Sequence, residues 1–532
     1  MTPTRSRTVD ANATSCCGSS TPRVIPTLTE TAAASACCGD PIPNPATGAC
    51  CSEPAATCGC QSTNAPASRE EHRERTATKP ATLPAGPIGL AAAAHLIEKG
   101  EAPIVLEAGA AVAASIREWG HVRLFSPWKY LVDLAARRLL EAAGWSMPDE
   151  EHLPTGAELV AELLEPLANH PAIAPHIRFD SRVVVVSRRG YDKVKSVGRD
   201  SAPFELVGRH SNGQAERVLA RAVIDASGTW YAANPMGAGG FVADGEAEHA
   251  DRIRYGIPDV RGRERARYAG RRTLVVGSGH SAFNAILDLV SLGDETIGTE
   301  VVWAVRRTEI GLLFGGGGKD QLEARGALGT RLRELIASER VRLVTGFRVA
   351  RVLEDRAALV VESDEGGRLG PVDQIVVSTG FRPDLSLARE LRLRLDPWLE
   401  APETLASLID PNLHSCGTVY AHGATELAHP EKDFYVVGMK SYGRAPTFLM
   451  LTGYEQVRSV VCALVGDEAG ACNVELVLPE TGVCQTDSSG VSGGCCSSAA
   501  VERADDTAGS SCGVLGDPPL TISRRVATAG IA

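Results

Sequence analysis

Two glycine-rich segments have the residue spacing of turns that hold the pyrophosphate of a dinucleotide. The clearer segment is RTLVVGSGHSA at 272–282, a predicted strand that runs through a glycine turn into a predicted helix. The first glycine permits a tight turn, the second permits close approach of the pyrophosphate, and a small third residue lets the helix pack on the strand. The N–H groups at the helix start then face the negative charge. We therefore predict a nucleotide site formed by Gly277, Ser278, Gly279, His280, Ser281 and Ala282.

Two arginines after the next predicted strand indicate which nucleotide binds there. The strand TEVVWAV ends at Arg306 and Arg307, where an NAD site usually has an acid for the ribose hydroxyls. Guanidinium groups suit a 2′-phosphate instead, so these residues predict NADPH. The alternative is a solvated basic strand end. We expect His280, inside the glycine turn, to face the pyrophosphate rather than to act in catalysis.

The second segment, PAGPIG at 84–89, is a less complete version of the same pattern. Gly86 and Gly89 occupy the second and third glycine positions, but Pro84 stands in the first. Glu107 follows Gly86 by about 20 residues, the distance at which an acid holds a ribose hydroxyl. We predict an FAD nucleotide site formed by Ala85, Gly86, Gly89 and Glu107.

The strand that should precede this second turn is hard to identify. The residues before Pro84 read TATKPATL, which is polar and contains Pro80. A central parallel strand is normally a continuous apolar run, and proline is disfavoured in it. The sequence leaves two alternatives open: a poor strand remains, or the strand has been lost and FAD binds weakly.

The elements around both turns alternate between strand and helix, which predicts an α/β protein with two dinucleotide-binding (Rossmann-like) domains. The predicted strands are APIVLEAG, RVVVVSRR, RAVIDASG, RTLVVGSG, TEVVWAVRR, RVRLVTGF and DQIVVSTGF. The predicted helices are IGLAAAAHLIEKG, GAELVAELLEPLANH, HSAFNAILDLVSLG and TRLRELIASE.

The composition of the chain argues against some classes of function. The chain has 532 residues and is 44% apolar, which suits two packed domains with further segments. A net charge of -11 argues against nucleic-acid binding, which depends on Lys and Arg at phosphates. No apolar run approaches the ~20 residues that span a bilayer, so no membrane partner is expected. No apolar export segment is visible near the start, which favours a cytoplasmic location.

The fifteen cysteines are placed very unevenly. Eight lie in the first 60 residues, five lie from Cys472 onward, and none lies between 61 and 415. The predicted folded region therefore lacks the closely spaced thiol pair of flavoprotein disulfide reductases. Vicinal thiols in a cytoplasmic protein favour metal binding or redox work, and thiolates select soft ions. We predict a thiophilic metal or metalloid site at Cys16, Cys17, Cys37, Cys38, Cys50, Cys51, Cys495 and Cys496; the alternative is low-complexity sequence without function.

From about 82 to 466, the chain resembles the flavin-containing monooxygenase type of two-dinucleotide-binding-domain flavoproteins. Within that type, it resembles bacterial flavoproteins encoded beside arsenic-resistance genes. EWGHVRLFSPW resembles the segment that passes over the flavin ring, and VIDASGTW and IVVSTGFRPD resemble the paired crossovers between domains, with Gly228 and Gly380 at their turns. FYVVGMKSYGRAPTFLMLTGYEQVRSV resembles the last flavin-contacting strand and helix. That match places Gly438, Lys440 and Arg444 near the flavin, ahead of a helix from about Pro446.

The resemblance implies a split FAD domain at 80–267 and 381–466, with an NADPH domain at 268–380 inserted in it. The remaining residues, 1–79 and 467–532, are predicted to be disordered Cys-rich tails. Three functions stay open: a monooxygenase acting on a small molecule, a metal or metalloid reductase fed by tail cysteines, and a degenerate flavoprotein that binds metal. The FxGxxxHxxxW pattern of Baeyer–Villiger enzymes is absent from the sequence, which lowers the expectation of lactone-forming oxygenation.

Overall fold

The structure is a computed structural model that describes residues 78–309, 314, 322–413, 421–446 and 448–474. Its strands are β1 (Ala81–Leu83), β2 (Ile104–Leu106), β3 (Ile177–Arg178), β4 (Arg182–Arg188), β5 (Phe204–Arg209), β6 (Ala215–Ala220), β7 (Val223–Asp225), β8 (Ile253–Tyr255), β9 (Arg272–Val276), β10 (Glu300–Ala304), β11 (Arg342–Val344), β12 (Val349–Asp355), β13 (Ala358–Ser363), β14 (Arg368–Val372), β15 (Gln374–Val377) and β16 (Phe434–Val436).

Eleven α-helices are found in the described residues. They are α1 (Pro87–Glu98), α2 (Ala114–Glu118), α3 (Leu134–Ala142), α4 (Gly156–Leu159), α5 (Glu165–Asn169), α6 (Arg265–Tyr268), α7 (His280–Glu295), α8 (Glu323–Ala337), α9 (Glu403–Ile409), α10 (Met450–Leu464) and α11 (Glu468–Cys472). A π-helical turn, Val160–Leu164, joins α4 to α5. No helix in this part of the chain is long and apolar enough to cross a bilayer.

The first sheet contains the strand that the sequence left in doubt. Its five strands are parallel and follow the order β16-β7-β1-β2-β3, so β1 is central. All three β1 residues are buried. Pro80 stands just before the ladder, where its carbonyl accepts from the Ile104 N–H at 2.8 Å. Its missing N–H therefore removes no bond from β1, and a short strand remains.

The second sheet lies, in chain order, between β7 and β16. It is also parallel, with the order β11-β10-β9-β15-β8. Two parallel sheets, the second inserted within the first along the chain, confirm the predicted α/β fold class. Strand β8 (Ile253–Tyr255) precedes residue 268, the position at which the sequence predicts the NADPH domain to begin.

Two antiparallel three-stranded sheets, β4-β5-β6 and β12-β13-β14, complete the strand inventory of the described residues. The first of them packs Val186, Phe204 and Leu206 against Ala81 and Leu83 of β1. This packing covers one face of the first parallel sheet. Strand β4 was predicted from the sequence, whereas β5, β6 and β12 to β14 were not.

Helix α1 covers the other face of the first sheet. Its residues from Ile88 to Leu96 are buried on all sides, as expected for a helix without a polar face. It packs against α10 on one side and α3 on the other. The helix ends at Glu98 with Lys99 as its C-cap, and the positive φ of Gly100 (78°) matches the predicted helix stop.

The described chain extends into the range predicted as the second tail. Helix α11 lies within 467–532, and Asp467 forms an ion pair with Lys99 of 2.8 Å. The first predicted tail, 1–79, and the rest of the second lie outside the described residues, apart from 78, 79 and 467–474.

Candidate functional site

Helix α1 begins at the second glycine of the PAGPIG turn. Gly86 is its N-cap, and no side chain caps the first N–H groups there. A Cβ added at Gly86 would meet nothing within 4 Å, whereas one at Gly89 would lie 1.8 Å from the Pro84 carbonyl oxygen. Gly89 therefore allows the helix to pack on the turn, and Gly86 leaves open space at the helix start. This open cradle with free N–H groups fits a dinucleotide pyrophosphate.

The carboxylate of Glu107 fastens this turn to the end of β2. Its Oε2 accepts from the Ala85 N–H at 2.9 Å, and its Oε1 accepts from the Gly109 N–H at 2.7 Å. Burial raises the pKa of Glu107, against the opposing effect of these two N–H donors. Glu107 thus has a backbone-holding role that the sequence analysis did not foresee. Ribose binding by the same carboxylate stays a prediction.

The second glycine turn repeats this geometry between β9 and α7. Gly277 has φ 128°, and a Cβ there would lie 2.1 Å from the Ser378 carbonyl oxygen, so only glycine fits. Gly279 is the N-cap of α7, and a Cβ added to it would meet nothing within 4 Å. Ala282 is fully buried against the strand. Ser278, His280 and Ser281 lie in the same turn and first helical residues. This cradle also fits a pyrophosphate.

His280, the first residue of α7, contacts two phenylalanine rings. Its ring centroid lies 5.4 Å from that of Phe125 and 5.7 Å from that of Phe283. Phe125 belongs to the EWGHVRLFSPW segment, so this segment reaches the start of the second nucleotide helix. The role of His280 at the pyrophosphate stays a prediction.

The end of β10 lies beside the same turn. Arg306 and Arg307 follow β10; Arg306 is exposed, and neither has an ion-pair partner among the described residues. Trp303 of β10 donates from Nε1 to the Gly277 carbonyl at 2.7 Å and is fully buried. Trp303 was not among the predicted site residues. A tryptophan inside an apolar strand could have indicated this contact, because a buried indole N–H needs a hydrogen-bond partner.

The two crossovers between the sheets pair with each other. The Asn234 N–H donates to the Gly380 carbonyl at 2.9 Å, and the Thr379 hydroxyl donates to the Asn234 carbonyl at 2.6 Å. Gly228 and Gly380 have positive φ values of 66° and 87°, consistent with the predicted turns. The crossovers therefore form a paired link at the carboxyl ends of β7 and β15.

Lys440 lies at the base of this link, and it is buried. Its Nζ donates to Asp225 Oδ2 at 2.8 Å and to Ser227 Oγ at 2.9 Å. Asp225 and Lys440 are both almost completely shielded from solvent. Lys440 was predicted to lie near the flavin, but its partner Asp225 was not among the predicted site residues. The missed signal was an acidic residue in the buried strand sequence VID.

Arg444 has a different environment from Lys440. Its Nε lies 2.9 Å from Glu400 Oε2, and both side chains are partly exposed. The structure therefore brings Lys440 to the buried carboxyl end of β7 and places Arg444 in a surface ion pair.

The first turns of α1 and α10 meet at Ile88. A Cβ on Gly438 would lie 3.3 Å from the Ile88 side chain, and one on Gly453 would lie 2.6 Å from it. The Gly438 N–H donates to Gln456 Oε1 at 2.7 Å, which ties the turn after β16 to α10. Helix α10 begins at Met450, later than the predicted start near Pro446. Two helix N-termini thus converge beside the PAGPIG turn.

No group of three or more metal-ligand side chains is found in the described part of the chain. The eight cysteines predicted to bind a thiophilic ion lie outside it: Cys16, Cys17, Cys37, Cys38, Cys50, Cys51, Cys495 and Cys496. Cys462 is a free, buried thiol on α10, and burial raises its pKa. Cys472, on α11, is disulfide-bonded.

Solved structures with this fold include both reductases and monooxygenases. The bacillithiol disulfide reductase Bdr from Bacillus cereus matches with a TM-score of 0.54 at 18% identity, over 74% of this chain and 99% of that one. The FAD-bound cadaverine monooxygenase DfoA from Erwinia amylovora matches with a TM-score of 0.52 at 13% identity, over 76% of this chain and 98% of that one. No curated protein sequence matches significantly. At these identities the structural matches show the fold.

A family model described as pyridine nucleotide-disulphide oxidoreductase matches residues 84–415. The match includes both glycine turns, both crossovers and the second parallel sheet. It confirms the predicted class, an oxidoreductase enzyme with FAD and NADPH as cofactors. The chain belongs to the pyridine nucleotide-disulphide oxidoreductase family.

Proposed function

We propose that this protein is an FAD-dependent, NADPH-using monooxygenase of a small molecule, with a role in arsenic or metalloid resistance. The observation that carries the proposal is the absence of any cysteine from residues 61–415. A disulfide reductase needs a thiol pair beside the flavin or the nicotinamide. Both glycine turns and both crossovers lie in the cysteine-free range, so molecular oxygen is the favoured electron acceptor.

The cysteines described after this range lie away from the start of α10. Cys462 is twelve residues after Met450, which is roughly 18 Å along the helix axis. It is also buried, and its raised pKa disfavours the thiolate. Cys472 follows on the next helix. The position and burial of Cys462 support the assignment of a non-thiol electron acceptor.

The chain's own residues would bind, orient and shield the reactants. Gly279 and the first turn of α7 would hold the NADPH pyrophosphate, with Arg306 and Arg307 at the 2′-phosphate. Gly86 and the first turn of α1 would hold the FAD pyrophosphate. FAD supplies the hydride-accepting and oxygen-reducing chemistry when bound. The proposal keeps the cytoplasmic location and the absence of nucleic-acid partners expected from the sequence.

A second candidate function is a metal or metalloid reductase. It is supported by the family's description, by the disulfide reductase with the same fold, and by the vicinal cysteines. In this alternative the tail thiols would carry electrons from the flavin to a bound thiophilic ion. The third candidate, a degenerate flavoprotein, depended on a missing first strand. Because β1 occupies the centre of the first sheet, that argument loses its main support.

The decisive experiment is a visible absorption spectrum of the full chain before and after NADPH is added without oxygen. We expect flavin bands that bleach with NADPH and return when oxygen is admitted. NADPH-dependent turnover that is unchanged when every tail cysteine is replaced by serine supports the monooxygenase over the reductase. Loss of NADPH-dependent turnover in that variant would favour the reductase. A protein without flavin bands, even after incubation with FAD, would refute both.

A further inference from the structure

An acidic residue and four aromatic rings meet where the EWGHVRLFSPW segment approaches the crossovers. The Glu118 cluster consists of Glu118, Trp119, Trp230, Tyr231 and Phe381. The Trp230 ring centroid lies 6.3 Å from that of Trp119 and 5.3 Å from that of Phe381. Trp230 and Tyr231 directly follow the first crossover turn, and Phe381 follows the second. The cluster therefore gathers residues from three segments that flank the predicted redox centre.

The carboxylate of Glu118 is held by two neutral donors. Its Oε2 accepts from Trp230 Nε1 at 2.8 Å, and its Oε1 accepts from the Tyr231 hydroxyl at 2.8 Å. The nearby Arg263 reaches only the Glu118 backbone carbonyl, at 3.2 Å, and pairs with Asp259. Among the described residues, no cation pairs with this carboxylate. Its negative charge is therefore fixed in place and available to a ligand.

The two indole rings are fixed by close backbone contacts. A Cβ on Gly156 would lie 2.9 Å from the Trp119 ring, and one on Gly256 would lie 3.3 Å from the Trp230 ring. Any larger residue at Gly156 would displace its tryptophan. Tyr231, by contrast, is 62% exposed, so the cluster opens to solvent. It is a preformed surface that a small molecule can reach.

The hydrogen bonds that Trp230 and Tyr231 donate to Glu118 also change the electron density of their rings. A hydrogen bond from an indole N–H or a phenol O–H to an anion increases the electron density of the ring face. Burial and the hydrogen bond to Glu118 raise the pKa of Tyr231 to about 12, so the hydroxyl stays a donor at neutral pH. Electron-rich aromatic faces beside a carboxylate are the combination that proteins use to bind ammonium groups.

We propose that the Glu118 cluster binds the cationic group of a small organic molecule, an alkylammonium or quaternary ammonium ion. The inference rests on the proposed function, because it names the ligand class of that enzyme. An alkylammonium or quaternary ammonium group would place its charge near the carboxylate and its alkyl surface on the rings. A neutral or anionic molecule of the same shape would lack the attraction between its charge and the carboxylate.

Choline and its neutral carbon analogue, 3,3-dimethyl-1-butanol, test this inference by equilibrium binding without NADPH. We would titrate the full-length protein and follow binding by tryptophan fluorescence and calorimetry. We expect choline to bind at least about tenfold more tightly than the neutral analogue, about 1.4 kcal/mol at 25 °C. Equal binding of the two probes, or no binding of choline, would overturn the inference.

Two variants assign the binding to the cluster. Glu118→Gln should weaken choline binding about tenfold and leave binding of the neutral analogue unchanged. Glu165→Gln is the matched control, since that exposed carboxylate already pairs with Arg117 and should not matter. Choline affinity that is the same in Glu118→Gln and the parent would refute the assignment. Flavin bleaching by NADPH, measured separately, tests the proposed function, so the two proposals can fail independently.

Discussion

Individual buried charges decide much of the local stability, and Lys440 is the clearest case. Its ion pair with Asp225 is shielded from solvent on both sides. Loss of one partner leaves an uncompensated buried charge, which typically destabilises a protein by about 3–5 kcal/mol. We expect Lys440→Met and Asp225→Asn each to show such a loss in urea unfolding. The double variant should lose clearly less than the sum of the two.

The double-mutant cycle has its own control. Arg444→Met removes a cation four positions after Lys440, and the pair of Arg444 with Glu400 is partly exposed. Exposed pairs contribute about 0–1 kcal/mol, so this variant should stay near the parent. Additive losses in the Asp225 and Lys440 cycle would contradict the structural pairing.

The lowered pKa of His429 predicts that the stability of the protein depends on pH. Burial lowers the pKa of His429 to about 4, from an ordinary value of 6.5. Between these values the unfolded chain binds a proton that the folded protein does not, so stability falls as pH drops from 6.5 towards 4. We expect this contribution to be on the order of 2 kcal/mol, because the ring keeps some solvent contact. His429→Gln should remove that part of the pH dependence in urea unfolding at pH 7 and pH 5.

The difference between variant and parent isolates this effect from the titration of acidic residues. His152→Gln, at an exposed imidazole, is the control and should keep the parent's pH dependence. A His429→Gln variant with an unchanged pH slope would show that the imidazole is protonated in the folded protein.

At the scale of elements, substitutions at the two glycines between β1 and α1 allow effects on folding and effects on cofactor binding to be measured separately. A methyl group at Gly86 enters open space, whereas one at Gly89 overlaps the Pro84 carbonyl oxygen. We expect Gly86→Ala to fold normally but to bind FAD at least about tenfold more weakly, because the methyl fills the pyrophosphate cradle. Gly89→Ala should instead lower the melting temperature of the FAD-free protein.

Flavin fluorescence titration and thermal unfolding of the FAD-free protein distinguish the two effects. Gly279→Ala offers the same comparison at the second turn, where the methyl should weaken NADPH binding and spare FAD. Unchanged FAD affinity in Gly86→Ala would refute the predicted position of the pyrophosphate.

At the scale of the whole molecule, a buried ion cluster joins distant parts of the chain. Glu431, just before β16, accepts from Arg188 of β4 at 2.7 Å and from Arg199 at 2.8 Å. All three side chains are fully buried. Hydrogen bonds from both arginines hold the pKa of Glu431 below its usual value, against the opposing effect of burial. The cluster joins β4 and the residues before β5 to the segment just before β16.

Glu431→Gln tests this long-range link. It removes the carboxylate charge that two buried guanidinium groups share, so we expect a loss of about 3–5 kcal/mol in urea unfolding. Glu141→Gln, at an exposed pair with Arg137, should change stability by less than about 1 kcal/mol. Equal stability of the two variants would show that the arginines find other partners.

The sequence by itself determined the elements whose signals are local. Alternating strands and helices, both glycine turns and the positions of β9 and α7 followed from periodicity and turn chemistry, which act over a few neighbouring residues. The cysteine-free range was also a property of the sequence alone. Helix α1 was predicted within a residue or two, since its apolar run and its terminal glycine are adjacent in the chain.

Only the tertiary structure decided the features that depend on distant partners. Strand β1 looks too short and polar on its own, but β2 and β7 on its two sides supply its hydrogen bonds. The Asp225–Lys440 pair joins residues 215 positions apart, and the Glu118 cluster collects three separate segments. The role of a buried charge or an exposed ring depends on the residues that pack against it. No local pattern contains that information, because contacts form only when the sheets and crossovers have assembled.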